Sequence, residues 1–285
     1  MILQTDLYRI INITNLHAGS GDSTYGIVDK QVQRDPITKL PVVHASSLKG
    51  ALRECFEVVV KTPSATIETI FGSDSKRGKT KLQRGQFEFF EGRLVSLPVR
   101  SNLQPFYHAT SISVLKDLVE NIVHFGSAIF SERELTALNL AFTNDITAGK
   151  LQIFGDKNSD LAIDEYYSAN IETCTNVNLK SAVDLLVDTK ILDKPIVLFA
   201  KKDWDALLDR LPVIARNNLE NGISTNLFYE EVVPRQARFV AFVMRPSTHD
   251  LLTSELVKVN HRVQIGANAT VGYGQCQFEC IIPKT

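Results

Sequence analysis

Lys49, Arg53 and Glu57 recur at four-residue intervals. A helix over residues 47–61 would therefore carry all three on one face. The opposite face would hold Leu48, Ala51, Leu52, Cys55, Phe56 and Val59 as an apolar stripe. Two cations in the first two turns would stand beside the free N–H groups at the positive end of the helix dipole, a combination that holds phosphate. The same spacing also describes a solvated face with an Arg53–Glu57 attraction. Ser46 or Ser47 can cap the helix start.

Asp29 stands in the stretch 26–35 beside Lys30 and Arg34. A loop carboxylate among cations can ligate a divalent metal or orient a ribose hydroxyl, or it can sit in plain surface ion pairs. His17, within Leu16-His17-Ala18-Gly19-Ser20-Gly21, can act as a base or bind phosphate, although a histidine near a turn is more commonly structural. Near the C-terminus, Gly266, Gly272 and Gly274 fall between a helix and the last strand, where backbone can approach a partner closely. That loop has no Gly-Lys-Ser/Thr. It also runs helix-to-strand, the reverse of a dinucleotide fingerprint.

Phe228 and Tyr229 precede Glu230 and Glu231 on a hairpin-like segment. Exposed rings there could wedge between bases, or one of them could pack the hairpin down. Lys76, Arg77, Lys79, Lys81 and Arg84 crowd a Gly- and Ser-containing stretch that suits either RNA phosphates or solvent. Cys276 and Cys280 share one face of a strand and read as reduced core thiols, since none of the four cysteines forms a C-x-x-C pair.

These residues need elements to hold them. Residues 3–14 are rich in β-branched and aromatic types and read as a strand. Residues 15–45, with three glycines and two prolines, read as a long loop with short extended pieces. Residues 87–100 are strand material around Glu91-Gly92, and Ser131 with Glu134 opens a helix to about Ala141 through a capping box. A short helix over 202–210 precedes Pro212. A hairpin over about 213–234 turns at Glu220-Asn221-Gly222. A strand over 237–245, a helix from Ser247 or Thr248 to about Arg262 and a strand over 275–282 close the chain. The outer elements follow the β-α-β-β-α-β order of a ferredoxin-like α+β fold. Such a sheet, backed by helices on one face, would offer its other face to a partner, as RNA-recognition modules do.

Composition narrows the class. The chain has 285 residues and a net charge of −1. A protein that coats RNA alone is usually basic, so any RNA groove here must be local. No run of 18 apolar residues exists, so no membrane partner is expected. The start carries no basic-then-apolar leader, and a cytoplasmic protein is expected.

Taken together, three segments resemble the RAMP superfamily of CRISPR proteins: Leu16–Gly21, Ser46–Arg53 and Gly266–Gly274. Three more are similar to the repeated backbone subunit, the fourth, of the type III-B (Cmr) effector complex. These are 26–34, Arg93–Ser101 with its Leu-Pro-Val-Arg-Ser, and Asn226–Pro234 with its Tyr-Glu-Glu-x-x-Pro. The sequence departs from the family pattern at Gln31, where proline is frequent, and at His44-Ala45, where Pro-Gly is frequent.

The resemblance implies one RAMP domain over 1–285. Its ferredoxin-like, RRM-like palm would carry a loop insertion at about 18–45, a helical insertion at about 112–170 and a protruding thumb hairpin at about 213–234. It implies a crRNA-binding subunit that stacks helically with other copies and other Cmr subunits. Such a subunit cuts guide-paired single-stranded target RNA at regular intervals through 2′-OH attack, with a divalent ion (Mg or Mn). The key acidic residue falls on Asp29, which is also the metal candidate. His17, Glu230 and Glu231 are accessory candidates. Lys49, Arg53, Arg34, Ser47, Gly272, Gly274, Phe228 and Tyr229 are the expected RNA contacts. The alternatives are a non-catalytic crRNA-binding scaffold and the type III-A equivalent.

Overall fold

A computed structural model describes residues 3–23, 28–73, 83–220, 223–248 and 250–282. Strand β1 (Leu3–Asn12) leads into β2 (Gly19–Ser23), β3 (Lys30–Val32) and β4 (Val42–Val43). Helix α1 (Ala45–Glu54) runs on as a π-helical segment over Cys55–Val60, and α2 (Ser64–Phe71) follows. Next come β5 (Glu88–Phe89), β6 (Gly92–Val99), β7 (Tyr107–Ser111), α3 (Ile112–His124) and α4 (Glu132–Ala141). Then follow β8 (Leu151–Ile153), β9 (Ala162–Ile163), β10 (Tyr166–Tyr167), β11 (Ile171–Thr173), α5 (Val177–Asp188), β12 (Ile196–Phe199) and α6 (Lys201–Leu208). The hairpin strands β13 (Val213–Glu220) and β14 (Ile223–Glu231) precede β15 (Arg238–Pro246), α7 (Leu251–Val257), β16 (Arg262–Gln264) and β17 (Gln275–Ile281).

Strands β17, β1, β15 and β6 lie side by side, each antiparallel to its neighbour. With α1 after β1 and α7 after β15, this is the ferredoxin-like strand order that the sequence predicts. Beyond β6 the sheet continues through β7, β12, β8 and β11. The hairpin belongs to a separate sheet, ordered β13-β14-β3-β2.

Neither face of the palm sheet is open, contrary to the expectation from an RRM-like sheet. Tyr8 and Ile10 of β1 pack with Leu48 and Leu52 of α1 and Leu252 and Leu256 of α7. Leu7, one residue out of phase, packs on the other side with Leu115, Leu118 and Ile122 of α3 and with Val240 and Phe242 of β15. The period of two along β1 sends apolar side chains both ways, so the inserted helices α3–α5 must cover the second face. Polar groups on that face are paired: Arg9 with Asp193 and Glu279, and Arg238 with Asp193. No helix among the described residues is long and apolar enough to cross a membrane.

Two helix boundaries differ from the sequence reading. Helix α1 starts at Ala45 with His44 at its N-cap, and neither Ser46 nor Ser47 caps it. The His44 amide donates instead to Gln33 Oε1, at 2.8 Å. Helix α7 is shorter than expected. It follows Asp250 and ends at Val257, because Asn260 and His261 take positive φ and Arg262 joins β16. The Ser131–Glu134 capping box stands as expected, with both reciprocal bonds made.

Candidate functional site

The hairpin root is tied to the palm by backbone. Leu16 and Val233 exchange N–H···O bonds at 2.9 Å, and the Val232 amide donates to Pro212 O. Strand β3 then lies parallel to β14, with Lys30 opposite Glu230. Asp29, just before β3, continues that ladder. Its amide donates to Tyr229 O at 3.0 Å, and its Oδ2 accepts the Tyr229 amide at 2.7 Å. Asp29 is exposed. It lines an open groove of about 760 Å³ with His17, Gly19, Ser20, Lys30, Asn226, Phe228, Glu230 and Asn268.

Behind Asp29 sits a buried polar set. Glu230 is 1% exposed. Its Oε2 accepts from Arg216 Nη1 at 3.2 Å and from Asn268 Nδ2 at 2.8 Å. Its Oε1 has no hydrogen-bond partner, and His17 Nε2 stands 3.5 Å from it, an ion-pair distance. His17 Nδ1 lies 2.7 Å from the Glu231 carbonyl, so that nitrogen carries the proton and donates. The other ring nitrogen then faces Glu230. Any side chain at position 19 would crowd this ring, since a Cβ there would meet His17 Nε2 at 2.9 Å.

The C-terminal glycine loop closes the other side. Ala267 N donates to His17 O at 2.8 Å, and Gly274 N donates to Asn15 O. Gly266 has φ +81 and would place a Cβ 2.4 Å from His17 O, so only glycine lets the loop lie this close. Gly272 follows on the same loop.

Gln33 links the two other motifs. Its Nε2 donates to Gly19 O at 3.1 Å and to Ser47 Oγ at 3.0 Å. Ser47 therefore fastens the start of α1 to the loop after β1. Two residues on, Lys49 is half-buried and lies over the Phe89 ring at 6.0 Å. Burial first, then the Arg53 and Arg84 cations, hold its ammonium below the usual lysine range. No carboxylate of the described residues is paired with it. A cation disfavoured by its surroundings gains from an incoming anion. Arg53, by contrast, is paired with Glu57 at 2.9 Å, the plainer of its two sequence readings.

Arg34, another expected RNA contact, and Glu231, an accessory candidate, form a clamp inside the fold. Glu231 accepts from Arg34 Nη2 at 2.6 Å and from the Val32 amide at 3.0 Å, and Arg34 also donates to Lys39 O and Leu208 O. Neither lines the groove. Phe228 is half-buried between Lys30, 4.5 Å from its ring centroid, and Arg216, 5.7 Å away. Tyr229 and Leu227 are exposed, at 38% and 55%. The Asn221-Gly222 turn and Lys76, Arg77, Lys79 and Lys81 lie outside the described residues. Arg216, Asn268 and Gln33 carry much of the site, and the sequence reading assigned them no role.

All four cysteines are free. Cys276 is buried, and burial pushes its thiol up to about 12 and that of the half-buried Cys280 to about 11. Among the described residues, no group of three His, Cys, Asp or Glu is placed to hold a metal ion.

Comparison with known proteins places the fold. The chain is 28% identical over 283 residues to the CRISPR system Cmr endoribonuclease Cmr4 of Pyrococcus furiosus, with 94% of this chain and 92% of that one covered. It is 23% identical to the CRISPR system CMR subunit Cmr4 of Saccharolobus solfataricus, with 92% of each covered. Two solved structures share its fold. One is oligomeric Cmr4 from Pyrococcus furiosus, with a TM-score of 0.69 at 19% identity, covering 98% of this chain and 99% of that one. The other is a chain of the type III-B Cmr-beta complex bound to cognate target RNA, with a TM-score of 0.73 at 21% identity and 97% of each covered. A model of the RAMP superfamily matches residues 9–277, and the chain belongs to that superfamily.

Proposed function

We propose that this chain is a crRNA-binding backbone subunit of a type III-B CRISPR effector complex and that it cuts the target RNA paired to its guide. The observation that carries this reading is the Asp29 carboxylate, held by the Tyr229 amide at the mouth of a groove walled by the hairpin and two palm loops. Lys49 supplies a cation favoured by phosphate, and the glycine loop gives backbone a close approach. With a net charge of −1, the chain holds RNA as part of a stack of copies, each adding a short cationic stripe to a continuous groove.

The chemistry needs little from the protein beyond pose and a proton path. The ribose 2′-hydroxyl attacks the adjacent phosphorus. The 5′-oxygen leaves and takes up a proton, giving a 2′,3′-cyclic phosphate and a 5′-hydroxyl. A-form pairing keeps the attacking and leaving oxygens out of line. A hairpin that splays one nucleotide from the duplex frees it to reach the in-line pose, which lowers the barrier. Asp29 Oδ1 accepts the 2′-hydroxyl proton or orients that hydroxyl.

One exposed carboxylate does not make a resident metal cage, and the described residues offer no fuller donor set. It does suit a hydrated divalent ion shared with a phosphate, which Asp29 would hold. Such an ion, Mg or Mn, would supply charge stabilisation at the phosphate.

The test is a guide-loaded assembly given two targets, all-ribose and with deoxyribose at the scissile nucleotide. The expected result is that both bind and only the ribose target is cut. Cutting of the deoxyribose target would rule out the internal nucleophile.

A further inference from the structure

Arg216 sits where hairpin and palm meet, and neither the groove's charge nor its proton path uses it. Its guanidinium lies between two rings: Phe228 of β14 at 5.7 Å and Tyr273 of the palm's glycine loop at 5.9 Å. Its Nη1 donates to the buried Glu230, which also accepts from Asn268 of that loop. Three chain segments thus converge on one planar cation: both hairpin strands and the loop before β17. Lys30 Nζ also lies over the Phe228 ring, 4.5 Å from its centroid, so two cations and two rings meet at the junction. Each cation–ring contact strengthens as water is excluded. A planar guanidinium can stack on an aromatic face while its N–H fork holds a carboxylate, which a lysine ammonium cannot do.

We infer that Arg216, seated between Phe228 and Tyr273 and paired with Glu230, is a positioning residue that sets the angle of the hairpin to the palm and so the pose of Asp29 against the RNA. Tyr229, the residue between Phe228 and Glu230, is the one whose amide holds Asp29. A tilt of the hairpin at Arg216 therefore moves the carboxylate directly. In the proposed reading guide phosphates meet palm elements, α1 and the backbone of the glycine loop, and not the Tyr273 ring, so guide binding does not depend on that angle. The lesion is thus in the cutting step rather than in binding.

This inference rests on the proposed nuclease reading, and the experiment separates the two. Guide-loaded assemblies of wild type, Arg216→Ala, Arg216→Lys, Tyr273→Leu and Tyr273→Phe are compared for melting temperature, target Kd and single-turnover cutting rate. Wild type that binds target but never cuts it would sink the nuclease reading itself. If wild type cuts, the inference expects Arg216→Ala and Tyr273→Leu to lose about tenfold or more in rate, with target Kd within about twofold. Arg216→Lys, which keeps charge without the plane, should fall between, and Tyr273→Phe, which keeps the ring, should restore the wild-type rate. Cutting at the wild-type rate in Arg216→Ala, or a Kd that weakens as much as the rate falls, would overturn it. If Arg216→Ala does not fold, Tyr273→Leu decides by the same criteria.

Discussion

Asp29 and Tyr229, 200 residues apart in sequence, exchange two hydrogen bonds: Asp29 N to Tyr229 O at 3.0 Å and Tyr229 N to Asp29 Oδ2 at 2.7 Å. The loop after the first strand is thereby laid along the hairpin as an added strand. A carboxylate that sequence alone leaves in a surface loop gains a fixed backbone support. The remaining oxygen, Oδ1, is the one that the proposed reading offers to RNA.

The Arg34–Glu231 clamp ties β3 and the residues after it to β14. Glu231→Ala removes the acceptor of the buried Val32 amide, leaving it unpaired, and the ion-pair partner of Arg34, which keeps only its bonds to Lys39 O and Leu208 O. The expected cost is about 2 kcal/mol, read as a lower midpoint in urea unfolding. An unchanged midpoint would show that the clamp carries no stability.

Lys49 should account for part of the salt dependence of guide binding. Lys49→Ala is expected to weaken crRNA retention and to lower the slope of log Kd against log salt by about one per copy. Measured from 50 to 300 mM salt, an unaltered slope would place Lys49 away from the phosphates.

Much of this was legible in the sequence. The ferredoxin-like order, the capping box at Ser131, the hairpin and the three converging motifs were all readable from period, turn chemistry and resemblance. Two things were not. One was the covered second face, because Leu7 and Tyr8 are adjacent apolar residues and β1 gives no polar side to read. The other was Arg216. A two-residue turn without a bulge would set Arg216 opposite Leu227. The irregularity at Asn218/Leu219 sets it opposite Phe228 instead, and a one-residue slip reverses which face a side chain meets. No local sequence signal marks that bulge.

Gly266→Ala tests the close approach of the glycine loop. A Cβ 2.4 Å from His17 O, on a residue with positive φ, cannot be absorbed by a flexible side chain. The expected loss is about 1–3 kcal/mol of stability, with weaker guide binding as the loop lifts from His17. Wild-type melting and wild-type guide affinity together would show that the loop shifts freely.

His108 gives the fold an acid limit. Burial first, then Arg238, with Asp193 opposing, lowers its imidazole from the ordinary 6.5 to about 4, and its Nδ1 has no partner. The folded state binds the proton later than the unfolded state. Stability is therefore full above about pH 6.5, falls as pH drops toward 4 and flattens below. The loss is about 3 kcal/mol at most. His108→Gln should flatten the change in unfolding free energy across this window. An unchanged pH profile in the variant would assign the acid loss to other groups.

The central claim is that the carboxylate of Asp29 serves the cutting step. The direct measurement is single-turnover cleavage by assemblies of Asp29→Ala, loaded with guide and shown by filter binding to hold target. A fall in rate of about 100-fold or more, at unchanged guide content and target Kd, is the predicted result. Cleavage at the wild-type rate would contradict it and leave a guide-binding scaffold.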